Sequence, residues 1–86
     1  MSDDLLARVE SIVLRVAGPG RTPAGAGPDT PLGEGGFWLD SVDLLDLILA
    51  CEHEFATAFG PGDALGADAL RSIRSLAELI RSRVAA

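Results

Sequence analysis

Ser41, His53 and thirteen carboxylates are the reactive raw material of this chain. A serine, a histidine and an acid can form a hydrolytic triad only if the imidazole reaches the hydroxyl. Ser41 and His53 lie on one segment with helical patterning. Twelve residues at 1.5 Å each separate them by roughly 18 Å, far beyond a hydrogen bond. There is no second histidine. Cys51 and His53 are two positions apart and point to different sides of a helix, so they make a poor metal pair. Cys51 falls among apolar residues and reads as a buried thiol. Asp40, Asp43 and Asp46 form an acidic ridge, but the ligand loop of a calcium-binding EF-hand is missing. No metal site is expected.

One feature of Ser41 stands apart. It follows a long irregular segment and opens a helix, with Asp40 as the expected cap. A helix start presents free N–H groups and the positive end of the dipole, which would welcome a phosphate on the hydroxyl.

The elements that position these residues follow from periodicity. Leu5, Leu6, Val9, Ile12, Val13 and Val16 recur at helical spacing and predict a first helix over Asp3–Ala17. Asp3 or Asp4 caps it, and Gly18-Pro19 ends it. Gly18–Gly36 is too rich in glycine and proline for helix or central strand and reads as a long loop. Pro31 and Leu32 are expected to pin that loop to the core. Phe37, Trp38 and Leu39 are expected to pack against the next helix and close the loop over the core.

A second helix is predicted from Asp40 to about Phe59. Its apolar arc runs through Val42, Leu44, Leu45, Leu47, Ile48, Leu49, Cys51 and Phe55, wide enough to touch several neighbours. Glu52 sits inside that arc. A half-buried carboxylate needs donors, so it is expected to accept backbone N–H groups from an adjoining loop. Gly60-Pro61-Gly62 breaks the chain, and Asp63–Leu70 reads as a short, weak third helix. Ser72 caps a last helix carrying Ile73, Leu76, Ala77, Ile80 and Val84, with Arg74, Arg81 and Arg83 on its outer side. No strand pattern appears. The expected fold is all-α: a four-helix bundle of three main helices and a short third one, with a long first loop.

Composition bounds the function. Eighty-six residues make one domain, 1–86, with 48% hydrophobic and 23% charged residues. Little room remains for both a core and a deep cleft, which argues against an enzyme. Thirteen acids against seven arginines give a net charge of −6, unsuited to nucleic acid or anionic lipid. A single cysteine makes no internal disulfide. No signal peptide or apolar stretch of membrane-spanning length is read, so a cytoplasmic monomer is expected.

The string Leu39-Asp40-Ser41-Val42 resembles the attachment signature of acyl carrier proteins. The similarity continues through Leu45, Leu47, Ile48 and Glu52 to Phe55, and returns in Leu70–Ile80. Helix 1 and the long loop fit in length and order. This resemblance implies a non-catalytic carrier. A phosphopantetheinyl transferase would move 4'-phosphopantetheine from coenzyme A onto Ser41, next to Asp40, using Mg2+. The arm's thiol would carry acyl groups as thioesters to a loading enzyme, a ketosynthase or other acyl-processing enzymes. Those partners would dock on Val42, Asp43, Asp46, Leu49 and His53. Leu39, preceded by Phe37 and Trp38, stands where many carriers have a glycine two residues before the serine, and His53 lies in a mostly neutral stretch of a helix that is often more acidic. Both departures favour a specialised polyketide, antibiotic or mixed-peptide pathway over housekeeping fatty-acid biosynthesis. The same fold and face would also suit a helical docking or adaptor domain that is never modified.

Overall fold

A computed structural model describes residues 4–59 and 68–84, and three helices account for most of them. Helix α1 spans Asp4–Ala17, with Asp4 in its first turn, where the dipole favours an acid. Val9, Ile12, Val13 and Ala17 form its buried stripe. Gly18 ends it in the left-handed region (φ 76°), its N–H donating to Leu14 O at 2.9 Å. Glycine enters that region without a Cβ penalty.

Helix α2 spans Ser41–Phe55 and α3 spans Ile73–Val84. Ser72 and Ser75 cap α3 reciprocally. Ser75 N donates to Ser72 Oγ at 3.2 Å, and Ser72 N donates to Ser75 Oγ at 3.0 Å. Helix α1 packs against both α2 and α3. The core joins its stripe to Leu47 and Cys51 of α2 and to Ile73, Leu76, Ala77 and Ile80 of α3. Val84, expected on the inner face, is exposed at the end of its helix.

The Gly18–Gly36 segment is held at several points. Leu32 and Phe37 plug into the core with no exposed surface. Leu32 N donates to Arg71 O and Arg74 N to Pro28 O, each at 2.9 Å, so the loop is laced to the start of α3. The Arg74 guanidinium adds an ion pair with Asp29 at 2.8 Å. The pinning expected of Pro31 and Leu32 is therefore present. Leu32 does it by burial, and Pro31 by accepting the Phe37 N–H at 2.9 Å.

Three expectations need correction. Helix α2 stops at Phe55 rather than near Phe59. Ala56 takes a left-handed conformation (φ 51°, ψ 47°) and its N–H closes onto Glu52 O. Trp38 does not join Phe37 and Leu39 in the core; it is turned outward. Val42, Leu45 and Leu49 also face solvent, because α1 covers only one side of α2. The predicted third helix falls mostly outside the described residues, and Asp68–Leu70 form a turn. Among the described residues the chain is all-helical, with no strand.

Candidate functional site

Ser41 is the first residue of α2 and is exposed. Its side chain makes no hydrogen bond to another described residue. Asp40 precedes it as the N-cap with an extended backbone. Asp43 N donates to Asp40 Oδ1 at 2.9 Å, and Asp40 N donates to Asp43 Oδ2 at 3.1 Å. This reciprocal box holds the helix start rigid around the serine. Leu44 N makes the first ladder bond, to Asp40 O at 2.9 Å. The Ser41 and Val42 amides precede the ladder and face the dipole's positive end, where an anion on Ser41 would be welcome.

Arg21 organises this corner. It reaches from the loop to grip the Asp43 carboxylate through both terminal nitrogens. Its Nε donates to Ala17 O at 3.2 Å and its Nη2 to Val16 O at 3.4 Å. One guanidinium thus satisfies carbonyls at the negative end of α1 and braces the capping box of α2. The Arg21 hydrogen bond, helped by the Asp40 N–H, lowers the Asp43 carboxyl to about 2. Arg21 is the one cation between Gly18 and Gly36. That isolation was the only signal in the sequence that it has a local task.

The docking residues inferred from resemblance separate into two groups. Val42, Asp46, Leu49 and His53 are exposed, and their spacing of four, three and four places them on one face of α2. Leu45 joins them. Val42 is 66% exposed, Leu45 56% and Leu49 52%, an apolar stripe beginning beside Ser41. Asp43 differs from these, being half-buried and paired with Arg21. The accessible carboxylates of this corner are those of Asp40 and Asp46.

Trp38 borders the same corner. Its φ of 58° lies in the left-handed region, which is a true outlier for a bulky residue. Such a conformation costs about 1–3 kcal/mol and persists only where neighbours impose it. They do so here. Phe37 N donates to Pro31 O, Trp38 N to Gly33 O and Leu39 N to Leu32 O, each at 2.9 Å. The tight turn also needs Gly36, where a Cβ would lie 1.9 Å from Pro31 O.

The remaining reactive groups have structural roles or none visible. Cys51 is buried, and burial pushes its thiol up to about 12, so it is not a nucleophile at neutral pH. Glu52 accepts the Phe59 N–H at 2.7 Å, as a half-buried carboxylate among apolar neighbours requires. Glu54 pairs with Arg8 at 2.9 Å, and the same guanidinium lies 4.5 Å over the Phe55 ring. Helix α2 runs unbroken from Ser41 through His53, so the two stay roughly 18 Å apart and do not act together. Among the described residues no cluster of three His, Cys, Asp or Glu side chains could hold a metal. No helix among them is long and apolar enough to cross a membrane.

Comparison with protein-family models, curated proteins and solved structures finds no match to this chain. The resemblance to acyl carrier proteins therefore rests on the motif, its position and the helix order.

Proposed function

We propose that this chain is an acyl carrier protein modified with 4'-phosphopantetheine on Ser41. The observation that carries the reading is the exposed, unpaired Ser41 hydroxyl at the start of a doubly capped helix, followed by an exposed apolar stripe. No side chain among the described residues hydrogen-bonds the Ser41 hydroxyl, so activation belongs to a separate Mg2+-dependent transferase. In that step the serine oxygen attacks the β-phosphorus of coenzyme A, releases adenosine 3',5'-bisphosphate, and yields its proton to the transferase. Once attached, the arm would hold acyl groups as thioesters at its thiol.

The chain's own residues supply presentation. Asp40 and Asp43, braced by Arg21, hold the serine outward, while the Ser41 and Val42 amides favour the phosphodiester charge. Val42, Asp46, Leu49 and His53 would meet successive enzymes: a loading enzyme, a ketosynthase or other acyl-processing partners. Asp40 and Asp46 would face arginine or lysine there, giving weak, salt-sensitive complexes that release readily. The four-helix count, a cytoplasmic location and a role in polyketide or related biosynthesis belong to the same reading.

The exposed stripe equally favours a second reading, an adaptor that docks without being modified. Intact mass separates them. After incubation with coenzyme A, Mg2+ and a broad-specificity transferase, the carrier gains one phosphopantetheine, and Ser41→Ala gains none. No gain, under conditions that modify a control carrier, supports the adaptor.

A further inference from the structure

Trp38 is both strained and unburied. A left-handed backbone suits glycine and opposes an indole, yet the chain places tryptophan there at φ 58°. Burying the ring would offset that strain, but Trp38 is 61% exposed while its neighbours Phe37 and Leu39 are 0% and 6% exposed. Nothing among the described residues uses the indole in proportion to its size. The three backbone bonds around it hold the turn whatever side chain stands at this position.

Its location restricts what can use it. Three Cα steps of 3.8 Å put Trp38 within about 11 Å of Ser41. A protein that binds specifically covers about 800 Å² of its partner, a disc of roughly 16 Å radius. A partner whose active site is centred on the Ser41 hydroxyl therefore has the reach to cover Trp38. Tryptophan is also the side chain most enriched at energetically dominant contact positions. Val42 and Leu45, and the carboxylates of Asp40 and Asp46, are exposed at the same end of α2.

We propose that Trp38 is the aromatic anchor by which the protein that modifies Ser41 docks, seated in an apolar cleft whose rim carries arginine or lysine opposite Asp40 and Asp46. The inference rests on the carrier reading and adds to it a residue outside the α2 face.

The test uses the full chain with coenzyme A, Mg2+ and a broad-specificity phosphopantetheinyl transferase, following initial rates by intact mass. Trp38→Gly should raise KM for the chain by about five- to tenfold, the scale of an anchor residue, with kcat within about twofold. Its thermal midpoint should be no lower than that of wild type, because glycine accepts the left-handed backbone. Trp38→Phe should keep KM within about twofold of wild type. If Trp38→Gly does not fold, Trp38→Asn, which also tolerates this region, carries the same comparison. An unchanged KM in the glycine or asparagine variant overturns the anchor, as does a phenylalanine variant equally impaired. If wild type gains no mass while a control carrier does, the carrier reading itself fails, and the anchor with it.

Discussion

Arg21 forks onto the carboxylate of Asp43 across 22 positions of sequence, with Nη2 3.2 Å from Oδ1. The pair ties the end of α1, whose carbonyls the same guanidinium caps, to the first turn of α2. Asp43 is held near 2 in the folded chain, below its ordinary value of about 3.9. Between those values the unfolded chain binds a proton that the folded chain does not. The stabilisation is therefore complete above about pH 4 and lost as pH falls through about 2. Asp29, lowered by Arg74, titrates in the same direction, and it does so with or without Arg21. Arg21→Gln should lower the urea midpoint at pH 7, with the difference from wild type shrinking towards pH 2. Equal midpoints at pH 7 would show that the pair contributes nothing.

Leu45 and Leu47 look alike in the sequence and differ in burial. Leu47 is fully buried and Leu45 is 56% exposed. Leu47→Ala should cost about 2–5 kcal/mol by transfer and cavity formation. Leu45→Ala should stay within about 0.5 kcal/mol. Denaturant unfolding of both variants checks the contrast, and similar losses would mean that α2 is turned differently about its axis.

Gly36 is required by close approach. An added Cβ would meet the Pro31 carbonyl oxygen at 1.9 Å. Gly36→Ala should destabilise by about 1–3 kcal/mol, the range for overpacking a closed site. It should also raise amide exchange at Phe37 and Leu39, whose N–H groups close this turn. Wild-type exchange at both amides would remove the proposed constraint.

Glu52 receives the Phe59 N–H at 2.7 Å after α2 has ended. Glu52→Ala should lose about 1.5–3 kcal/mol, the scale of a bond to a charged acceptor. Glu52→Gln should retain much of it. Amide exchange at Phe59 follows the bond directly: rapid exchange in the alanine variant is expected, and unchanged exchange would show the bond to be unimportant.

Ala56 closes α2 at φ 51°, a conformation that penalises any Cβ. Ala56→Gly should raise stability by about 1 kcal/mol. A lower unfolding midpoint would mean that the added freedom of the unfolded chain outweighs the relieved strain.

Much of the helix layout is legible in residue order. Asp4–Ala17 and Ile73–Val84 carry single apolar stripes, and Gly18 and Ser72 supply the stop and start signals their termini need. Asp40 ahead of Ser41 is likewise a local capping signal, as the reciprocal box bears out. Glu52 was readable because an acid among apolar neighbours demands a donor. The end of α2 was not. Nothing in Ala56-Thr57-Ala58 breaks a helix by composition, and the stop comes from a left-handed alanine and the Glu52–Phe59 bond.

Local chemistry thus decided where the helices begin and which serine stands at a helix start, since caps, breakers and apolar period act within a few residues. Long-range packing decided which side of α2 faces out. Val42, Leu45 and Leu49 are as apolar as Leu47, and the packing of α1 and the rest of the core against one side of α2 determines which of them meets water. The outward turn of Trp38 and the reach of Arg21 to Asp43 depend in the same way on a loop closed through Pro31, Leu32 and Arg71. Side-chain identity sets what burial is worth, but a neighbour distant in sequence must arrive before any particular residue is buried.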